Sequence, residues 1–406
     1  MENCLSNRYP IKTKIMRTTI VKIKTLAFSI LFVVVVIGCT SKNKDSTKDT
    51  QKVTSQNLIS TVIDSINSEI NNGDYGLIDR FIVIQNDEVL ADFRYKQDYE
   101  TIAQKYDTTN HQYNFNSTDW HPYYKQSELH TLQSVTKSIT SILFGIALDL
   151  NEDYNVDNKA MPLLTGYDTD FLDKRKQNIS IEDLLTMRSG LKWNEETDHN
   201  DNTNDCFLLE SSDHWIEYVL SKPMDTIPGT RFVYNGGGTV LLGKIIRTIT
   251  GKRIDDWAEE KLFKPLGITD YYWKETPDGE IDTEGGLYLK AEDLAKIGSL
   301  FLNKGKWNNK QIVSESWVTT STSPLLKNVK PQWRSVTGYG YQWWIPEYTD
   351  NGKTSIYSAN GYGGQYLMVA PEHKLIIVFN GWNINDEPEK STYRALQDRI
   401  IPTLKK

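Results

Sequence analysis

Apolar residues at Ile59, Val62, Ile63, Ile66 and Ile70 recur three and four apart, which predicts a helix over 58–70 with one buried face. The period then changes. FIVIQNDEVLADFRY holds two β-rich runs around Asn86-Asp87, residue types that accept the left-handed backbone of a tight hairpin turn. From about 150 to 330 the pattern is mostly helices and loops: SIEDLLTMRSG opens with a capping serine and closes at a glycine, and AEDLAKIGSLFLNKG has the same outline. After about 336 the chain is β-like again in GYGYQWWI, SIYSANGYGG, QYLMVAP and KLIIVFN, and it closes with a helix in STYRALQDRIIPTL. Strands near both ends with helices between them predict an α+β fold. Its antiparallel sheet comes from the two terminal portions and is flanked by helices, with a helical region inserted at about 150–330.

The amino-terminal portion follows another logic. Arg17, Lys22 and Lys24 precede an apolar run from Leu26 to Ile37 that ends at Gly38-Cys39. Twelve residues at about 1.5 Å each fall short of a bilayer of about 30 Å. The run therefore reads as the core of an export signal over 1–38, an uncleaved anchor being the alternative. A small residue followed by cysteine resembles a bacterial lipobox, which would make Cys39 the lipid-modified first residue of an exported, membrane-anchored lipoprotein facing the periplasm or the cell surface. Met16 is an alternative start. Residues 39–56, with TSKNKDSTKDTQKVTS, form a polar, aromatic-free tether, leaving 57–406 as the folded domain.

Composition narrows the partners. The chain has 406 residues, 38% hydrophobic and 24% charged, which is globular. Residues 1–38 hold six Lys/Arg and one Asp/Glu, so the remainder carries 40 basic and 52 acidic groups, net −12. So acidic a chain is not expected to bind nucleic acid. With Cys4 in the signal and Cys39 acylated, Cys206 stands alone, which excludes a disulfide framework and argues against a metal site built on cysteine. Neither a metal nor a cofactor is expected.

The chemistry concentrates at QSVTKSIT, where Ser134 precedes Lys137 by three residues at the start of an apolar run. On a helix these positions share a face about 5–6 Å apart, so hydroxyl and amine can meet. A buried lysine is expected to hold its proton weakly and to serve as a base for the hydroxyl. A capping serine before an exposed lysine is the plainer alternative. Further landmarks accompany the pair: PGTRFVYNGGGTVLLGKIIRTITGK places Tyr234 between a turn and a helix, and SANGYGGQY is a glycine-rich strand entry. ISIEDLLTMRSGLKWNE, LFKPLGI and GGLYLKAEDLAKIGSLFLNKGKW follow the same order.

Through these motifs the sequence, from about 75 to 400, resembles the serine β-lactamase-like superfamily, in the branch of class C β-lactamases, D-alanyl peptidases and family VIII esterases. It is most similar there to 6-aminohexanoate-dimer-hydrolase-like proteins. The resemblance implies a β-lactamase/penicillin-binding-protein-like fold and a serine hydrolase that cleaves amide or ester bonds of small substrates through an acyl-enzyme. It makes Ser134 the nucleophile, Lys137 its proton acceptor and Tyr234 the relay to the leaving group. The backbone N–H groups of Ser134 and Tyr362 would form the oxyanion hole, and Asn360, Gly361 and Gly363 would line the substrate. Two departures matter. Gly236 stands where class C enzymes have the asparagine of Tyr-x-Asn, and Asn360 stands where their third motif begins with a lysine that binds a β-lactam carboxylate. An amidase or esterase tolerates both. The alternatives are a β-lactamase or D-alanyl carboxypeptidase, or a non-catalytic penicillin-recognising binding protein.

Other motifs read as structure. GTVLLGKI fits G-x-x-x-x-G-K but lacks the hydroxyl residue of a phosphate loop, and is expected to be a helix on a core. Ser212-Asp213-His214 reads as a helix start. There is no G-x-S-x-G and no His-Glu-x-x-His, and the six histidines are scattered. Trp193 and Trp273 read as core or cleft wall. Trp343 and Trp344 alternate on a strand, so at most one faces a site.

Overall fold

The computed structural model describes residues 46–98, 101–102, 104, 128–169, 173–197, 201–330, 337–346, 356–384 and 388–403, with side chains from Leu58 onward. Residues 1–38, read above as an export signal, and Cys39 lie outside the described residues. By internal packing the chain divides into 1–49 and 50–406, and the account below concerns the second unit. Among the described residues no helix is long and apolar enough to cross a membrane.

Helix α1 (Ser46–Asn71) carries the Ile59, Ile63, Ile66 and Ile70 face as expected, but it begins inside the stretch read as a tether. No glycine or proline falls between 46 and 71 to stop it. Strands β1 (Ile78–Gln85) and β2 (Glu88–Arg94) form the expected hairpin, with Asn86 and Asp87 at φ of 52° and 64°. Two short strands, β3 (His130–Thr131) and β4 (Tyr272–Trp273), pair with β5 (Leu287–Leu289) in a small sheet that the pattern did not announce, since runs of two or three residues carry no period. Strands β6 (Lys306–Trp307) and β7 (Lys310–Gln311) form a separate hairpin.

The main sheet is completed by β8 (Leu326–Val329), β9 (Thr337–Tyr339), β10 (Trp344–Pro346), β11 (Tyr357–Gly361), β12 (Gln365–Ala370) and β13 (Leu375–Gly381). Its order is β2-β1-β13-β12-β11-β10-β9-β8, antiparallel throughout, so strands from the two terminal portions do pair: Phe81 lies opposite Phe379. Alternation along the central strands builds two cores. Ile376 and Val378, with Leu367 and Val369, face the helical insertion; Ile377 and Phe379, with Met368 and Phe81, face α1 and the carboxy-terminal helical turns at Leu396 and Ile400.

The insertion supplies α2 (Val135–Asp149), α3 (Ile181–Leu185), α4 (Asp205–Glu210), α5 (Trp215–Ser221), α6 (Gly236–Thr250), α7 (Ile254–Ala258), α8 (Ala291–Leu302) and α9 (Glu315–Ser321). The serine expected to cap SIEDLL does so, in a reciprocal box with Asp183. GTVLLGKI lies within α6, packed on the core. Buried Gln342 ties the parts together. Its amide donates to the Leu184 and Leu185 carbonyls at 3.0 and 3.2 Å, its side-chain oxygen accepts from Thr239 at 3.1 Å, and its backbone carbonyl accepts from Ser138 at 2.6 Å. That junction fixes α2 against α3, α6 and the sheet.

Phe81 and Phe379 stack across the ladder at 4.5 Å, both fully buried. Phe379→Ala is expected to lower stability by about 3–5 kcal/mol, the usual range for emptying such a site. Urea denaturation of the two proteins would show it, and a loss under about 1 kcal/mol would mean that the pair does not carry this face of the sheet.

Candidate active site

The nucleophile candidate sits on a constrained turn. Gln133 holds φ of 46°, buried, just before Ser134, and α2 starts immediately after it. The N–H groups of Val135, Thr136 and Lys137 turn back to the carbonyls of Leu132, Gln133 and Ser134. The Ser134 side chain makes no capping hydrogen bond, which removes the plainer alternative of a capping serine. Its Oγ accepts instead from Lys137 Nζ at 2.9 Å, the i to i+3 meeting that the spacing predicts.

Lys137 is 1% exposed and is not alone. Nζ donates at 2.6 Å to Oε2 of Glu284 and at 2.9 Å to the Glu284 backbone carbonyl. Burial works against the ammonium, but Glu284 first, with Tyr234, Glu195 and Cys206 behind it, together outweigh burial and hold the Lys137 pKa well above 10.5. This corrects the expectation of a weakly held proton: at rest Lys137 is an ammonium in a buried ion pair. Glu284 was missed because it is 147 residues from Lys137 and lies in a turn without periodicity.

That turn is firmly held. The Asp282 carboxylate accepts the N–H groups of Glu284 and Gly285 at 3.1 and 2.9 Å. Thr140 of α2 donates to the Thr283 carbonyl, and Thr283 donates to the Thr239 carbonyl of α6, both at 2.9 Å. Leu287 N–H reaches the Thr136 hydroxyl at 3.2 Å. Cys206 of α4 donates its thiol to Glu284 Oε1 at 3.4 Å, and burial first, then Glu284, pushes the thiol pKa up so that it stays protonated.

Tyr234 joins the pair. Its side chain hydrogen-bonds that of Ser134, its ring centroid lies 5.3 Å from Lys137 Nζ, and it stacks on Trp344 at 5.6 Å. Burial raises its pKa above 10.0 although Lys137 opposes the shift, so the phenol keeps its proton at neutral pH. Trp343 turns the other way and stacks on Phe301 at 4.8 Å, which leaves one tryptophan of the two at the site, as alternation requires.

The end of β11 completes the rim. A β-carbon at Gly361 would stand 2.3 Å from the Leu132 carbonyl, so this glycine lets the strand close on the serine turn. The approach seen is therefore to protein backbone. Gly363, at φ of 83°, belongs to the turn into β12, and Tyr362 between them packs toward Trp382 and Ile384. Asn360 pairs with Tyr366 in the ladder. Ser212, Asp213 and His214 lead into α5, where the Ser212 hydroxyl accepts the His214 N–H at 3.1 Å.

A second carboxylate converges on the site. Glu195 Oε2 accepts from Gly236 N–H at 2.7 Å and from Trp193 Nε1 at 2.8 Å. A β-carbon at Gly236 would stand 2.7 Å from Glu284 Oε2 and 3.0 Å from Glu195 Oε1, so both carboxylates occupy the space that a side chain at 236 would take. Glu195, Cys206 and Glu284 offer ligand atoms within 4.8 Å of one another, but Lys137 Nζ already stands on Glu284 as the local cation. Beside Tyr234 opens a cavity of about 460 Å³ lined by Trp193, Glu195, Arg231, Phe232, Asn328 and Lys330, among others.

A sheet built from both ends, a helical insertion and a serine one turn before a buried lysine define a serine β-lactamase-like fold. The chain belongs to the Beta-lactamase family, whose profile matches residues 103–399. It is 25% identical over 298 residues to the 6-aminohexanoate-dimer hydrolase of Paenarthrobacter ureafaciens, covering 67% of this chain and 70% of that protein. It is 24% identical over 251 residues to an N-acetylmuramyl-L-alanine amidase of Bacillus subtilis (strain 168), covering 50% of this chain and 56% of that protein, little more than half its length. The structure of a family VIII carboxylesterase superposes with a TM-score of 0.60 at 13% identity, covering 85% of this chain and 97% of that one, and so shares the fold.

Burial raises the Glu195 pKa to about 7, Lys137 opposing and Glu284 adding to the rise, while the hydrogen bonds from Gly236 and Trp193 lower it. The folded protein thus keeps a proton that the unfolded chain releases near 4.5. The stability this contributes is complete below about 4.5 and lost as pH rises through about 7. The groups facing Glu195 are Lys137, Glu284, Tyr234 and Cys206. Glu195→Gln is expected to flatten the fall in Tm between pH 5 and pH 8; an unchanged fall would place the titration elsewhere.

Proposed function

We propose that the protein is a serine hydrolase that cleaves amide or ester bonds of small substrates through an acyl-enzyme on Ser134. The observation that carries this is the contact of Ser134 Oγ with Lys137 Nζ at 2.9 Å, with the Tyr234 phenol on the same hydroxyl. Ser134 attacks the carbonyl carbon, and the oxyanion sits between the N–H groups of Ser134 and Tyr362. Tyr234, protonated at rest, passes a proton to the leaving group. The names of the relatives, an N-acetylmuramyl-L-alanine amidase and a 6-aminohexanoate-dimer hydrolase, agree with a hydrolase of this kind.

The cavity beside Tyr234 is the substrate pocket in this reading. Its wall carries both signs of charge: Arg231 is paired with Asp225, and Glu195 and Glu196 share the lining with Lys330. With Asn360 in the third motif, neutral acyl groups suit the site better than a β-lactam carboxylate. The amino terminus is read with it as an export signal followed by a lipid-modified Cys39, which would hold the enzyme at a bacterial membrane.

Ser134→Ala is expected to abolish hydrolysis while the protein still folds, at a cost of about 1–3 kcal/mol for the Lys137 N–H left without its Oγ acceptor. On one preparation, kcat/KM for a short-chain p-nitrophenyl ester should exceed that for nitrocefin, with the alanine variant as blank. Nitrocefin turnover equal to or faster than the ester's would restore β-lactamase as the leading function, and full turnover by the alanine variant would remove the serine mechanism. Expression of Cys39→Ala in a bacterial host should end both labelled-palmitate incorporation and membrane fractionation; retention of both would exclude the lipid anchor.

A further inference from the structure

We propose that Glu284, acting through Lys137, holds the proton that leaves Ser134 during acylation, and that Gly236 is what admits its carboxylate to the site. The proposal rests on the serine mechanism above and names the proton store that mechanism lacks.

The geometry of Nζ forces the question. An ammonium has three N–H donors and no lone pair. In this site the three acceptors around Nζ are Ser134 Oγ at 2.9 Å, the Glu284 carbonyl at 2.9 Å and Glu284 Oε2 at 2.6 Å. Nothing on Nζ is left to take the serine proton until one N–H has gone elsewhere. Of the three acceptors, the hydroxyl is the group being deprotonated and a peptide carbonyl is far too weak a base. The carboxylate oxygen remains, and its contact is the shortest of the three.

The transfer balances. As Ser134 Oγ bonds the carbonyl carbon, its O–H bond breaks and a new N–H bond forms on Nζ; the N–H facing Glu284 breaks and an O–H forms on Oε2. Lys137 remains an ammonium throughout. One negative charge moves from Glu284 to the carbonyl oxygen, and collapse of the intermediate returns the proton through Nζ and the Tyr234 hydroxyl to the leaving group. No charge is created in the buried site, only displaced by a few ångströms, which keeps the desolvation cost of the step low.

The chain is built to hold the carboxylate there. Oε1 receives the Cys206 thiol, and the 282–287 turn is pinned to both α2 and α6. Glu210 also faces Glu284, and burial first, then the Glu284 charge, raises its pKa well above 4.5, so that it adds no further charge. A β-carbon at 236 would stand 2.7 Å from Oε2, so a side chain there would push the Glu284 carboxylate off the position from which it meets Nζ. The glycine that departs from the class C pattern is therefore the counterpart of Glu284.

The test compares wild type with Glu284→Gln, Glu284→Ala and Glu284→Asp on a p-nitrophenyl ester, with labelling by a fluorophosphonate read in parallel. Glu284→Gln should lower kcat by about 10²-fold or more, with KM within about threefold, the scale of a lost general base. Glu284→Ala should be as slow but regain about tenfold with added formate, which restores a carboxylate to the vacated space; the Gln variant, whose amide fills that space, should not respond. A strut that merely kept the fold would show no formate response. Were Lys137 alone the base, removing its counter-charge would ease loss of its proton, and the Gln variant would be faster at neutral pH. A gain, wild-type kcat in the folded Gln variant, or a folded Ala variant indifferent to formate would each overturn the proposal. If neither variant folds, Glu284→Asp decides: a kcat at least tenfold down with unchanged KM supports the proposal, and wild-type kcat overturns it. Labelling separates the two levels of failure. If the fluorophosphonate does not modify Ser134 in wild type, the serine mechanism itself falls; if it does, and at the same rate in Glu284→Gln, only the role of Glu284 falls.

Discussion

The buried ion pair of Lys137 and Glu284 is the constraint around which the rest of this site is arranged. Two charges taken out of water lose hydration worth several kcal/mol each, and only close geometry with further hydrogen bonds offsets that loss. The structure meets the requirement from both sides. Lys137 has all three donors engaged, and Glu284 takes the ammonium on one oxygen and a thiol on the other. Three segments far apart in the chain must be in register for this: the first turn of α2, the turn at 282–287, and α4 with Cys206. The hydroxyl links through Thr140, Thr283 and Thr239 place the first two against α6. A fold that failed to align them would strand a charge in its core, so the ion pair also selects against near-native packings of the insertion.

Much of the architecture was legible because the relevant signals are periodic. The spacing in α1, the Asn-Asp turn and the shift to strand patterning after 336 each reflect one face meeting one core, and a local pattern records that. The alternation in LIIVFNG goes further, since it feeds two cores from one strand, Ile376 and Val378 on one side and Ile377 and Phe379 on the other. The small sheet of β3, β5 and β4 was not legible, and neither was the reach of α1 back to Ser46. The first consists of strands too short to show a period; the second depends on nothing more than the absence of a breaker.

At the site the division is similar. Ser134 and Lys137 were readable because helical spacing alone brings them together, and Tyr234 because it stands in a motif between turn and helix. Glu284 was not, since its meeting with Lys137 is tertiary. Its one trace was negative: Gly236, where a larger residue was expected. Reading Lys137 without that partner gave the wrong direction for its proton affinity, because burial and a counter-charge act oppositely on an ammonium and the sequence displayed only the burial. A departure from a motif at a buried position is thus a statement about volume, and its explanation lies in whatever fills that volume.

The same consideration bears on the substrate side. The site's main cations are paired: Lys137 with Glu284 and Arg231 with Asp225 at the cavity, where Glu195 is poised to titrate close to neutrality. An anionic ligand group would have to draw Lys137 or Arg231 away from a partner it already has, or meet Lys330 in the cavity wall. A neutral carbonyl makes no such demand; in the proposed reaction it needs a hydroxyl, which Ser134 supplies on the turn that begins α2 and that Gly361 closes upon. Under the proposed function, pairing of the site's main cations before the substrate arrives favours neutral acyl groups, and the missing third-motif lysine fits the same pattern.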